Sequence, residues 1–353
     1  LCRFSYFCNY GLNVRERQRA EINPMQYGTI VHYILERFFG EYTKKEYLSL
    51  EEDKFQKIVC AYLAEYAVKY FGEEQLESNS FTYRLKTILD NVMYLMKHIM
   101  EELSQSEFFV ADCELKIGED IPSYTIVLPD GHKIAVCGSV DRVDIMQRAD
   151  VTYLRIIDYK TGTKQFKLSD ILYGINLQML LYLHSIEASG GDKYGEIVPA
   201  GILYMPATVP YISSDSLKSI DKLPDELNKK LKMNGLLLKD TEIIHGMDKT
   251  DVATYIPVKI KAGEPVSSTS LATLAEFGKI FKKVDMLIAE MGKNIYNGNI
   301  EAKPLKGGHD SCEYCPYDSV CAYRQSNPIT CFSVDNKTVI EEITNEINGK
   351  EEE

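Results

Sequence analysis

The sequence contains no apolar run of the roughly 18 residues that a membrane-spanning helix needs, and its start lacks the basic-then-apolar layout of a secretory leader. A soluble, cytoplasmic protein is the expectation. No Gly-x-x-x-x-Gly-Lys-Ser/Thr phosphate loop occurs, which excludes an ATP-driven motor within these residues. Internal repeats and low-complexity blocks are also missing, which argues against a solenoid or a disordered scaffold. Positive charge is in short supply, with 40 Lys and Arg against 52 Asp and Glu and a net charge of -12. That balance does not suit a protein that grips nucleic acid by blanket phosphate neutralisation. A nucleic-acid partner would have to be held locally, for instance through a divalent cation on an acidic site. Residue 1 is Leu rather than Met, so a piece of a longer polypeptide is expected.

The chain does have 353 residues, 45% hydrophobic and 26% charged, which suits one large domain or two modest ones. Asn23-Pro24 supplies an N-cap and a first-turn proline, and Ile30, Val31, Ile34, Leu35, Phe38 and Phe39 follow at helical spacing. Residues 51–105 read as one or two further helices. From about 110 the period changes to two. Strands are expected at 110–117, 124–128, 133–146 and 152–160, with a hairpin turn at Pro129-Asp130-Gly131. A helix over 169–185 and a strand at 197–205 follow, and another helix is expected at about 271–297. The alternation predicts an α/β or α+β fold. The expected organisation is an N-terminal cysteine and helical segment over 1–110 and a core over 111–205. A loop-rich insertion over 206–270, a helix and cysteine segment over 271–335, and a solvated acidic tail over 336–353 complete it.

The chemistry concentrates in Gly138-Ser-Val-Asp-Arg-Val-Asp144 and Leu154-Arg-Ile-Ile-Asp-Tyr-Lys-Thr-Gly162. On adjacent strands, alternation sends Asp158 and Lys160 to the same side, where Asp141 can meet them. Two carboxylates offer hard oxygen ligands to Mg²⁺ or Mn²⁺, and a lysine can orient water and stabilise charge developing on phosphorus. By itself the Asp158/Lys160 pair carries little weight as a site, because charged residues two apart on a strand are common and a strand-end ion pair worth about 0–1 kcal/mol explains them. Gln178 and Tyr182 share one helix face, and His32 is a competent metal ligand. Each of these alone is more often a packing residue than a site, and Glu114 ranks behind them.

Taken in order, Gly28-Thr-Ile-Val-His32 with Leu35-Glu36, Gly138-x-x-Asp141-Arg-x-Asp144, Asp158-Tyr-Lys-Thr-Gly162 and Gln178-x-x-x-Tyr182 resemble the RecB branch of the PD-(D/E)XK nucleases. The resemblance covers most of the chain and implies a restriction-endonuclease-like mixed sheet flanked by helices. It further implies Asp141, Asp158 and His32 at a Mg²⁺ or Mn²⁺ site, Lys160 as the catalytic lysine, and Gln178 and Tyr182 at the cleft. Val140 stands where the wider superfamily has the proline of its name, as that branch tolerates.

Nine cysteines include a crowded triplet, Cys312, Cys315 and Cys321. In a cytosolic chain this favours a metal or cluster over disulfides, and a fourth ligand could be Cys2, Cys8, Cys331 or His309. Cys60, Cys113 and Cys137 are expected to be buried as small apolar residues. The run Cys2-Arg-Phe-Ser-Tyr-Phe7 with the triplet and its neighbours Tyr314, Pro316 and Tyr317 resembles the AddB subfamily, the nuclease-bearing subunits of two-subunit helicase-nucleases. That resemblance implies a [4Fe-4S] cluster on Cys2, Cys312, Cys315 and Cys321. Arg3 stands where proline is usual. A link over such a long loop would contribute a large closure entropy to stability.

The reading is therefore a metal-dependent exonuclease domain acting on single-stranded DNA together with an AddA-like helicase subunit, in double-strand break repair and recombination. The alternatives are a free-standing Cas4-like iron-sulfur exonuclease and a non-catalytic DNA-binding scaffold. Paired acids facing phosphate speak against the scaffold.

Overall fold

The computed structural model describes residues 2–15, 24–162, 165–210, 212, 223–267, 269–321, 323 and 328–351. Asn23, the expected N-cap, lies outside them. The N-terminal part holds α1 (Arg3–Tyr6), a π-helical turn (Phe7–Gly11), α2 (Pro24–Glu41), α3 (Lys44–Leu48), α4 (Glu52–Phe71), α5 (Glu73–Leu76) and α6 (Asn79–Ser104). Spacing decides which faces of these helices are buried. Ile30, Val31, Ile34, Leu35 and Phe38 of α2 meet Phe55, Val59, Tyr62, Leu63 and Tyr66 of α4 and Ile88, Val92, Leu95, Ile99 and Leu103 of α6 in one core.

The chain then enters β1 (Phe109–Ile117), β2 (Tyr124–Val127), β3 (Lys133–Val136), β4 (Gly138–Arg148) and β5 (Val151–Lys160). After α7 (Gln178–Ser189) and α8 (Gly191–Tyr194) come β6 (Glu196–Pro206), α9 (Leu223–Leu231), β7 (Asn234–Leu238), α10 (Thr241–Met247), β8 (Lys259–Lys261), β9 (Glu264–Val266) and β10 (Leu271–Ala272). The last elements are α11 (Leu274–Tyr296), β11 (Leu305–Gly307), β12 (Ile329–Cys331) and α12 (Asn336–Glu351).

Among the described residues, six strands form one mixed sheet in the order β1-β4-β5-β6-β7-β10. β1/β4, β4/β5 and β6/β7 are antiparallel, whereas β5/β6 and β7/β10 are parallel. The parallel β5/β6 pair requires a crossover, which α7 provides. Helices pack around this sheet, the mixed architecture that the sequence pattern predicts.

Several expectations need correction. The strand at 133–146 is two strands: Val136 pairs with Tyr124 in a separate hairpin, while Gly138 already pairs with Ile117, so the chain changes sheets at Cys137. Cys137 is consequently exposed, and Cys60 and Cys113 are only half-buried. The helix at 169–185 begins instead as a 3-10 turn, Leu168–Tyr173, stopped by Gly174 in the left-handed region (φ +68°), and α7 starts at Gln178. Within the expected insertion over 206–270 the described residues also hold two helices and three strands, and β7 joins the central sheet with Leu236, Leu237 and Leu238 buried. A five-residue strand covered on both faces has no alternation to read. The acidic tail is α12, whose Val339, Ile343 and Ile347 form an i, i+4 stripe buried in the core, while Glu346 pairs with Lys283 of α11. Among the described residues, no helix is long and apolar enough to cross a membrane.

Behind the central strands lies a fully buried charge quartet. Arg142 of β4 donates to Asp144 through Nε (2.6 Å) and Nη2 (2.7 Å), and to Glu102 of α6 (3.1 Å). Arg155 of β5 donates to Asp144 (2.8 and 3.0 Å) and to Glu102 (2.6 Å). Phe39 and Phe108 cover the two guanidinium groups. Two cations and two anions cancel, and each carboxylate is shared by both arginines. Arg155→Met leaves two buried acids with one cation, and is expected to lower the unfolding free energy by about 3–5 kcal/mol, measured by urea denaturation with an unchanged m value.

A second polar clasp joins α7, α11 and β2. His184 contacts Asp285 (3.3 Å), Glu187 (3.4 Å) and the Tyr124 hydroxyl (3.2 Å), and its ring stacks on Phe281. Burial opposes its charged form, but hydrogen bonds and charge from Asp285 and Glu187 outweigh this and raise its pKa to about 9. The charged clasp is therefore at full strength below the ordinary histidine pKa of about 6.5 and is lost as pH rises through about 9. Comparing melting of the wild type and His184→Gln from pH 6 to 10 should show a wild-type advantage that shrinks toward the alkaline end; a constant difference would refute it.

Candidate active site

Three elements converge at the end of the sheet. The α2 helix carries His32, β4 carries Asp141, and β5 carries Asp158 and Lys160 at its C-terminal end. The Lys160 ammonium pairs with Asp158 Oδ2, so these two side chains do point the same way. Asp141 Oδ2 accepts the backbone N–H of Tyr159 (2.9 Å) and lies 3.6 Å from His32 Nε2. The other ring nitrogen, Nδ1, is 3.0 Å from Glu114 Oε1 on β1, whose second oxygen accepts the Ser139 hydroxyl (2.8 Å).

Electrostatics reflect this crowding. Burial foremost, and then the charges of Asp158 and Glu114, push Asp141 up to about 6, against the pull of His32 and the Tyr159 N–H. Burial works against a charged His32, yet the hydrogen bond to Glu114 and the charges of Asp141, Glu114 and Asp158 prevail and raise its pKa. Glu114 is held low, chiefly by its hydrogen bond with His32 and also by Ser139. Carboxylates this close resist ionising together, which is the condition a cation relieves.

The donor set fits a divalent metal. One ligand atom each from His32, Glu114 and Asp141 lie within 4.8 Å of one another. Asp158 Oδ2 is buried beside Lys160 and takes no well-directed hydrogen bond. Imidazole nitrogen and carboxylate oxygen are both ligands that a divalent cation accepts. Of the residues singled out in the sequence, His32, Asp141, Asp158 and Lys160 thus gather here, and Glu114, ranked behind them, lies inside the group.

Gln178 opens α7 and its amide is 3.5 Å from the Tyr182 hydroxyl. Tyr182 lies against the backbone of Gly138, where a Cβ would meet the phenol oxygen at 2.2 Å. The glycine that opens β4 is therefore the surface on which this tyrosine rests. Arg142 and Asp144 of the same motif point away into the buried quartet.

The cysteines build a separate site. Cys2, Cys312, Cys315 and Cys321 line a single pocket of about 180 Å³ together with Phe4, Pro304 and Lys306. Burial raises the Cys312 thiol pKa against the opposing charge of Lys306, with Asp310 and then Cys315 and Cys2 adding to the rise. Four soft sulfur donors around one cavity suit a thiolate-ligated metal or iron-sulfur cluster. Cys8 is buried in the π-helical turn and Cys331 of β12 pairs with Gly307; neither they nor His309 line the pocket. Further contacts join the same chain regions, the Tyr317 hydroxyl donating to Val14 O (2.8 Å) and Arg3 facing Glu301 (3.7 Å).

The sequence profile of the PD-(D/E)XK nuclease superfamily matches residues 1–322. Over 91% of its length the chain is 34% identical to a protein of Thermoanaerobacter sp. (strain X514) named as a subunit of an ATP-dependent helicase/deoxyribonuclease, of which it covers 29%. Proteins of the same name from Alkaliphilus oremlandii (32% identical over 98% of the chain) and Clostridium kluyveri (33% over 100%) are covered to 31% and 32%. The chain thus spans about a third of the length of these relatives.

The Gly138–Tyr182 contact is separable by a double-mutant cycle. Gly138→Ala should lower Tm, and most of that loss should vanish in a Tyr182→Ala background; equal losses in both backgrounds would mean the clash lies elsewhere.

Proposed function

The chain belongs to the PD-(D/E)XK nuclease superfamily, and on that premise we propose that it hydrolyses phosphodiester bonds of single-stranded DNA as the nuclease domain of an ATP-dependent helicase-nuclease. The observation that carries the proposal is the Asp158/Lys160 pair at the end of β5, beside Asp141 and His32. His32, Asp141 and Asp158 would hold Mg²⁺ or Mn²⁺. The bound cation would supply positive charge against the scissile phosphate and lower the pKa of water in the site. Lys160 orients the attacking water and stabilises charge that develops on phosphorus. The Tyr159 N–H fixes the Asp141 carboxylate. Gln178 and Tyr182 contribute hydrogen-bonding groups at the cleft, toward the DNA strand.

The net charge of -12 fits a domain that receives its strand from a partner rather than capturing it alone. That partner would be an AddA-like helicase subunit, in keeping with the word subunit in the relatives' names, and the assembly would process broken DNA ends for recombination. We assign Cys2, Cys312, Cys315 and Cys321 to a [4Fe-4S] cluster that staples the two chain regions and leaves the hydrolysis to the other site. The shared pocket supports this set of four.

The test is cleavage of single-stranded DNA with Mg²⁺ by the wild type, Asp158→Ala, Lys160→Ala and Cys315→Ala. The first two substitutions are expected to reduce the rate by about 100-fold or more with folding intact. Cys315→Ala should bleach the brown absorbance of the cluster and lower Tm. DNA binding without cleavage in every sample would favour a scaffold, and a colourless wild type containing zinc would overturn the iron-sulfur assignment.

A further inference from the structure

Glu114 sits in the middle of β1 with a left-handed backbone, φ +51°. A residue with a Cβ rarely adopts that conformation, and inside a strand it marks stored strain. It is not the start of a turn, because the ladder with β4 is intact on both sides: Cys113 lies opposite Arg142 and Leu115 opposite Val140. The kink instead carries the carboxylate to His32. One oxygen lies 3.0 Å from Nδ1 and the other accepts the Ser139 hydroxyl at 2.8 Å. The same imidazole turns its opposite nitrogen, Nε2, toward Asp141 at 3.6 Å.

We propose that Glu114 is a positioning residue: held by Ser139 and by its strained backbone, it fixes the proton of His32 on Nδ1 and so commits Nε2 to the metal beside Asp141. This rests on the reading of that site as a cation centre. A metal-binding histidine that donates its other N–H to a carboxylate has its ring orientation and tautomer set by that contact, and loss of the contact commonly weakens metal binding about 10- to 100-fold. Although its carboxylate lies among the possible ligand atoms, in this role Glu114 acts through His32 rather than as a ligand. The role explains why an unfavourable backbone conformation is retained in the interior of a strand.

The test measures Mn²⁺ dissociation constants by electron paramagnetic resonance on the purified chain, alongside Tm. Glu114→Ala should weaken Mn²⁺ binding by about 10- to 100-fold. Glu114→Gln should restore most of it, since the amide oxygen can accept from Nδ1–H and the amide N–H can donate to Ser139. Glu114→Gly should bind Mn²⁺ as weakly as the alanine variant yet melt no lower than it, because glycine adopts positive φ freely. A purely structural role would move Tm and leave Mn²⁺ affinity alone, which would overturn the proposal. So would a glutamine variant as weak as alanine, which would make the carboxylate a direct ligand, or a wild type that binds no Mn²⁺. The expected series in a wild type that does not cut DNA would uphold the role of Glu114 while overturning the nuclease reading.

Discussion

The interaction on which the rest depends is the buried quartet of Glu102, Arg142, Asp144 and Arg155. Four charges removed from water are tolerated only because each has opposite charges around it and well-directed hydrogen bonds. That requirement is geometric as much as energetic. It admits one register of β4 against β5, with Asp144 opposite Arg155, and one placement of α6 against both strands. A slip of one residue would strand an arginine in the core. Asp141 precedes Arg142 in the chain, so the residue that anchors the strand inward stands next to the one that faces the cleft.

The cleft uses this rigidity. Its acidic groups belong to neighbouring strands, its imidazole to a helix packed across them, and its lysine to the strand end. Each comes from a regular element rather than a loop, which holds ligand atoms to the small tolerances that metal coordination needs. The cost is concentrated negative charge, visible in the raised Asp141 and in the buried, poorly satisfied Asp158. Such a site is electrostatically incomplete and poised for a cation.

How much of this is legible in the sequence differs from residue to residue. Successive side chains of a strand point to opposite faces, so once 154–160 is read as a strand the shared direction of Asp158 and Lys160 follows. The grouping of His32 with Asp141 cannot: over a hundred positions separate them, and only the order of the motifs suggests it. Glu102 is one acid among several on a long helix, and nothing local links it to arginines on two later strands. The strain at Glu114 leaves no trace, because no composition or periodicity encodes a positive φ at a glutamate. β7 is too short and too uniformly apolar to show a period, and the acidic residues of α12 hide a three-residue stripe.

The cysteine pocket has a consequence in time as well as space. Cys2, on one of its walls, precedes the cysteines of the other by more than three hundred positions. During synthesis the strands from β1 to β6 can pair as they emerge from the ribosome, but this pocket cannot close until the Cys312–Cys321 segment has followed them. Its closure therefore comes after the sheet is in place. An inorganic group seated there would act as a seal on finished sheets, and chains cut short ahead of that segment would stay open.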